Sequence, residues 1–151
     1  MLPRSRFCLL LLCFELLRGS VSAYSVPEDL KTVEQQFRKA SEVFLARIVS
    51  TKEMVCRDSR FPGDIPVVEG RYQLKEIFKG NPSAGAPVRD FVFGFGNCSL
   101  GLLAGLHYVF FVYDDHRFVL LPNGIAAIVN LDSANVQEYL AQLRTFKEDR
   151  R

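Results

Sequence analysis

The sequence predicts a mostly β domain, a small closed five-stranded barrel with one helix before it and one after. Three observations lead to that architecture. Two segments, 43–51 and 107–113, are apolar on both alternating faces, the pattern of strands covered on both sides. The connections between strand candidates are short and rich in Gly, Pro, Asn and Asp, which is turn chemistry. Apolar residues recur at helical spacing only towards the two ends of the mature chain. Strands that are apolar on both faces pack better in a closed barrel than in an open sheet with one wet face.

Residues 1–23 belong to a different class of segment. Arg4 and Arg6 precede an apolar run over 7–17, and Val21-Ser22-Ala23 is the small-residue pattern that a signal peptidase accepts. The run is too short for the ~20 residues that a membrane-spanning helix needs, and Glu15 interrupts its end. We therefore read 1–23 as a cleaved export signal and 24–151 as one domain, with no stable membrane insertion after cleavage. The expected location is outside the cytoplasm, either secreted or periplasmic.

Cleavage also changes the charge argument. It removes three arginines (Arg4, Arg6 and Arg18) and one acid (Glu15), which takes the formal net charge from +2 to 0. Nothing in that balance favours nucleic acid as a partner. Of the four cysteines, Cys8 and Cys13 leave with the signal. Cys56 and Cys98 remain as the only pair in an oxidising compartment, and a disulfide between them is the expected state. Closing a loop of about 40 residues would stabilise the fold by roughly 4 kcal/mol in the chain-entropy picture. The rival reading is a pair of free thiols, or one reactive thiol.

Along the mature chain, Ser25, Pro27 and Glu28 form a helix-start signature, and Leu30, Val33, Phe37 and Ala40 share one helical face. A helix over 27–39 follows. In the buried strand at 43–51, Arg47 is the exception to the apolar pattern that runs over 43–49. The stretch 57–70 carries Pro62, Gly63, Asp64 and Pro66 and reads as a surface loop. Tyr72 and Leu74 alternate with Arg71, Gln73 and Lys75 until Ile77 and Phe78 fall side by side, a phase shift that a bulged strand explains. Phe91, Phe93 and Phe95 then line one face of a third strand, with Asp90, Val92 and Gly94 between them. Strand 107–113, a turn at 114–117, and strands at 118–121 and 125–131 complete the β part. Asp132 or Ser133 can cap a last helix with the apolar stripe Val136, Tyr139, Leu140, Leu143 and Phe146.

Three stretches resemble the netrin-like (NTR) domain, a family that includes the tissue inhibitors of metalloproteinases. Residues 40–50, from Ala40-Ser41-Glu42-Val43 to Ser50, resemble its first barrel strand. Arg71 through Phe78-Lys79-Gly80 is similar to its second. Asn97-Cys98-Ser99-Leu100, followed by Gly105, His107, Tyr108, Val109 and Phe110, is similar to the Cys, Leu, Gly, Tyr pattern ahead of a later strand. The resemblance implies an OB-type barrel and a non-catalytic role in binding another protein, with proteases among the candidate partners. The metalloproteinase inhibitors begin with a zinc-chelating cysteine, whereas Tyr24-Ser25-Val26-Pro27 stands at that end here, so zinc chelation does not carry over.

Residue chemistry supplies two alternatives. Cys98 with His107 or His116 would be the makings of a thiol enzyme, because a cysteine needs a nearby imidazole to become a thiolate at neutral pH. The basic residues Arg57, Arg60, Arg71, Lys75, Lys79 and Arg89 could gather on one face and bind a glycan or another polyanion. Asp114-Asp115-His116 has ligand-type side chains, but consecutive turn residues seldom converge on one ion, and a solvated hairpin tip is the plain reading. Gly94-Phe95-Gly96 lacks the third glycine and following helix of a dinucleotide loop. Asn97-Cys98-Ser99 fits the glycosylation acceptor pattern. The expectation is an exported binding module, not an enzyme, with no cofactor and no metal.

Overall fold

Side chains of β1 (Glu42–Arg57) alternate between two separate cores, and the rest of the fold covers both. Phe44, Ala46 and Ile48 enter one core with Tyr72, Val88, Tyr108, Phe110 and Val112. Val43 and Leu45 enter the other with Phe37, Phe78, Val109, Phe111, Leu140 and Leu143. A computed structural model describes residues 32–57, 63–92, 99–113, 118–119 and 127–148. Its elements run α1 (Val33–Lys39), β1, β2 (Asp64–Lys79), β3 (Val88–Phe91), β4 (His107–Val112) and α2 (Ala134–Glu148). The segment 1–23, expected as an export signal, lies outside the described residues. Among those residues no helix is long and apolar enough to cross a membrane.

The strands form one antiparallel sheet in the order β3-β2-β1-β4. The closed five-stranded barrel expected from the sequence is therefore corrected to a four-stranded sheet among the described residues. Segments expected as further strands touch its edges by single bridges. Phe118 pairs with Arg89 of β3 in parallel, and Ile128 pairs with His107 of β4 in antiparallel. The expected strand 125–131 reduces, in its described part, to the Ile128 bridge followed by a bend and a turn.

The largest correction is the stretch 57–70. Its described part, Asp64 onwards, is the first half of β2, paired with β1 from Arg57↔Asp64 through Thr51↔Gly70. Pro66 fits because its carbonyl accepts from Val92 N–H, so its backbone polar groups face the β3 side. No β1–β2 ladder bond is lost there, and β3 ends at Phe91. Bulges then let two sixteen-residue strands curl around a small core. Phe78 and Lys75 are extra residues in β2, and Val49 is extra in β1. Each bulge sharpens the local twist. The phase shift at Ile77 and Phe78 is the first of them, as read from the sequence.

The helices close the second core. α1 opens where Thr32 and Gln35 form a reciprocal capping box, at 3.1 and 2.9 Å. The start signal at Ser25, Pro27 and Glu28 lies outside the described residues. Lys79 Nζ closes α1 by donating to the carbonyls of Phe37 and Arg38, at 2.9 Å each, and to that of Ala40. A cation at a helix C-terminus also meets the negative end of the macrodipole. α2 lies against the sheet through Leu140 and Leu143, with Val136, Tyr139 and Phe146 alongside, which is the stripe expected from its periodicity. Arg144 clamps it to β2 by a two-pronged pair with Glu76, both contacts at 2.8 Å.

Candidate functional site

Asp90 stands on the inner face of β3, beside Val68 of β2, and is fully buried. An aspartate in that position requires donors, and the following loop supplies them. Its carboxylate accepts from Ser99 Oγ at 2.9 Å, Leu100 N at 3.0 Å and Gly101 N at 2.8 Å. Burial pushes its pKa above the ordinary carboxylate value, against the pull of these donors. Gly101, at φ 66°, turns the chain so that its N–H points back to Asp90 and Ser99.

Tyr108 of β4 holds the next stretch. Its hydroxyl accepts from Leu103 N at 2.9 Å and donates to Gly101 O at 3.0 Å. Its ring lies in the first core, stacked on Phe110 with centroids 5.6 Å apart. Leu100 and Leu102 are buried in the same core. The absence of a side chain at Gly70 makes room for Leu102, since a Cβ there would lie 3.0 Å from Leu102 Cδ1. The loop then rejoins β1, with Gly105 N donating to Ile48 O at 2.8 Å and Ile48 N donating to Leu106 O at 2.9 Å. Between these anchors Leu103 faces outward, 58% exposed. The loop 99–106 is thus a rigid segment with an apolar tip.

At its foot lie three basic side chains. Arg47 sits opposite Gln73 of β2 and His107 of β4, and its Nε donates to Gly105 O at 3.1 Å. Lys75 stands at the β2 bulge. Burial lowers the His107 pKa, and the charges of Lys75 and Arg47 lower it further. The imidazole is therefore a poor cation at neutral pH unless an anion approaches.

The residues singled out in the sequence are dispersed. Cys56 is half-buried and carries a free thiol beside Met54, Ile65, Phe91 and Phe118. Cys98 lies outside the described residues, as do His116, Asp114, Asp115, Asn97 and Arg60. His107 pairs with Arg47, nine residues along β1 from Cys56 and so roughly 25–30 Å away. Among the described residues, no group of three or more potential metal ligands comes together. The expected basic face is also redistributed. Arg57 pairs with Asp64 at 3.0 Å, Arg89 with Glu69 at 3.6 Å, and Lys79 caps α1.

Sequence reasoning passed over Asp90 and Leu103. It placed Phe91, Phe93 and Phe95 on one face of a third strand and Asp90 on the other. Phe91 is buried and stacks on Phe118 at 5.1 Å in a separate small cluster, while Val88 and Asp90 on the other face are buried too, Val88 in the main core. The available signal was the Ser99-Leu100-Gly101 turn, which offers donors that a buried acid needs. The chain matches no protein-family model and no curated protein.

Proposed function

We propose that this protein is an exported, non-catalytic netrin-like domain of OB type that binds another protein, a protease among the candidates, through the loop 99–106. The observation that carries this reading is Leu103, an exposed apolar side chain on a loop locked at both ends by Asp90, Tyr108 and the β1 backbone. A rigid loop loses little conformational entropy on binding, so its exposed leucine contributes to affinity without an ordering cost. The barrel reading is supported by the parallel bridge from Phe118 to Arg89, with Val119 N donating to Arg89 O at 2.8 Å. That bridge joins the chain leaving β4, at one sheet edge, to β3 at the other. Val119 and Val88 share a core with Phe110 and Val112 of β4, as a sheet curled towards closure requires. Oxidation of Cys56 with Cys98 in the exported protein belongs to the same proposal.

The test is photo-crosslinking in the producing cells, with p-benzoylphenylalanine replacing Leu103 and, as control, Gln142 on the exposed face of α2. A discrete protein adduct at 103 and none at 142 is the expected result. Absence of an adduct at 103 removes the loop as the binding site.

A further inference from the structure

We propose that the sheet face at the foot of the loop, formed by Arg47, Lys75 and His107, seats an acidic segment of the same protein partner that covers Leu103. This inference rests on the loop reading above.

Several basic side chains elsewhere among the described residues have internal work, although Lys52 and Arg71 are exposed without a carboxylate partner. Arg38 pairs with Glu34, Arg57 with Asp64, Arg89 with Glu69 and Arg144 with Glu76, and Lys79 is taken up by the end of α1. Among the described residues, no carboxylate pairs with Arg47 or Lys75, and both are exposed. These two and His107 come from three adjacent strands, and the charges of Arg47 and Lys75 repel one another without a carboxylate between them. Arg47 is also held in place, because its Nε is bonded to Gly105 O. An oriented guanidinium offers its remaining N–H groups to a carboxylate with less entropy to lose.

The size of the patch selects the occupant. Three strands about 4.8 Å apart make it roughly 10 Å across, enough for one or two carboxylates. A long polyanion would need a longer track of cations; Arg71 on β2 could add one, but Arg57, Lys79 and Arg89 are already engaged. An apolar tip beside a short basic patch instead fits a protein segment that alternates acidic and apolar side chains.

The exported protein, labelled with 15N, is titrated with two probes: an octapeptide of alternating glutamate and leucine, and a sulfated hexasaccharide. The peptide should move the Leu103 and His107 amide signals together and raise the His107 imidazole pKa, and added salt should weaken it. Lys75→Glu, in which only an exposed side chain changes, and Arg47→Glu should each weaken peptide binding roughly tenfold. The inference is overturned if the peptide leaves both signals in place, if Lys75→Glu binds it unchanged, or if the hexasaccharide shifts His107 while the peptide does not. Crosslinking separates the two readings. A Leu103 adduct that persists at full yield in Lys75→Glu leaves the loop standing and removes the acidic partner, whereas no adduct in the otherwise unaltered chain removes both.

Discussion

The two ends of the sheet are held by two carboxylates of opposite character. At the helix end, Glu76 is partly exposed and meets Arg144 in a two-pronged ion pair, which holds its pKa below the ordinary carboxylate range. At the loop end, Asp90 has no cation among its hydrogen-bond partners in the described residues, is fully buried, and is served by a hydroxyl and backbone N–H groups. Burial pushes its pKa up. The comparison shows two ways of fixing an element to a sheet. An ion pair in contact with water adds a little to an interface already made by Leu140 and Leu143. A buried acid with dedicated donors shapes a loop that has few other means of holding its form.

The strongest test of that contrast is Asp90→Asn. The amide turns a donor towards the donors of Ser99 and Gly101, leaving buried groups unpaired. A loss of about 2–4 kcal/mol is expected in urea unfolding, with hydrogen exchange in 99–106 accelerating first. Unchanged exchange there would break the comparison. Gly70→Ala should cost about 1–2 kcal/mol, because the new Cβ presses on Leu102 and Ile48 and pushes the loop outward. At the helix end, Lys79→Met should cost about 1 kcal/mol and fray α1 selectively, as read from amide exchange at 37–40.

The smallest effect sharpens the contrast through pH. Glu76 has a lowered folded pKa, so its contribution is present above its ordinary value of 4.5 and is lost as pH falls through the folded value. With Arg144 nearly half exposed, that contribution is no more than ~1 kcal/mol. Asp90 has a raised folded pKa, so its contribution is present below its ordinary value of 3.8 and is lost as pH rises through the folded value. On acidification the tie of α2 therefore weakens while the loop end does not. Glu76→Gln should flatten the acid limb of α2 exchange and leave the loop's pH profile unaltered.

Much of the scaffold was legible in the residues. The doubly apolar strands 43–51 and 107–113, the bulge at Ile77 and Phe78, and the stripe of the last helix all express a local period. The first half of β2 was not legible, because Pro66 reads as a breaker until one sees that its carbonyl faces the short strand β3. The burial of Asp90 was not legible either. Alternation puts it on the face opposite Phe91, and only its donors across the loop explain a buried acid there.

By itself, then, the sequence determined the strands at 43–51 and 107–113, which are covered on both faces, and the last helix, because side-chain period is a property of neighbours along the chain. Only the tertiary structure decided that four strands form the described sheet, that Arg57 and Arg89 meet carboxylates while Arg47 and Lys75 do not, and that Leu103 stands on a locked loop. Those facts depend on which distant groups come within a few ångströms of one another, and hydrogen bonds and ion pairs act only at that range.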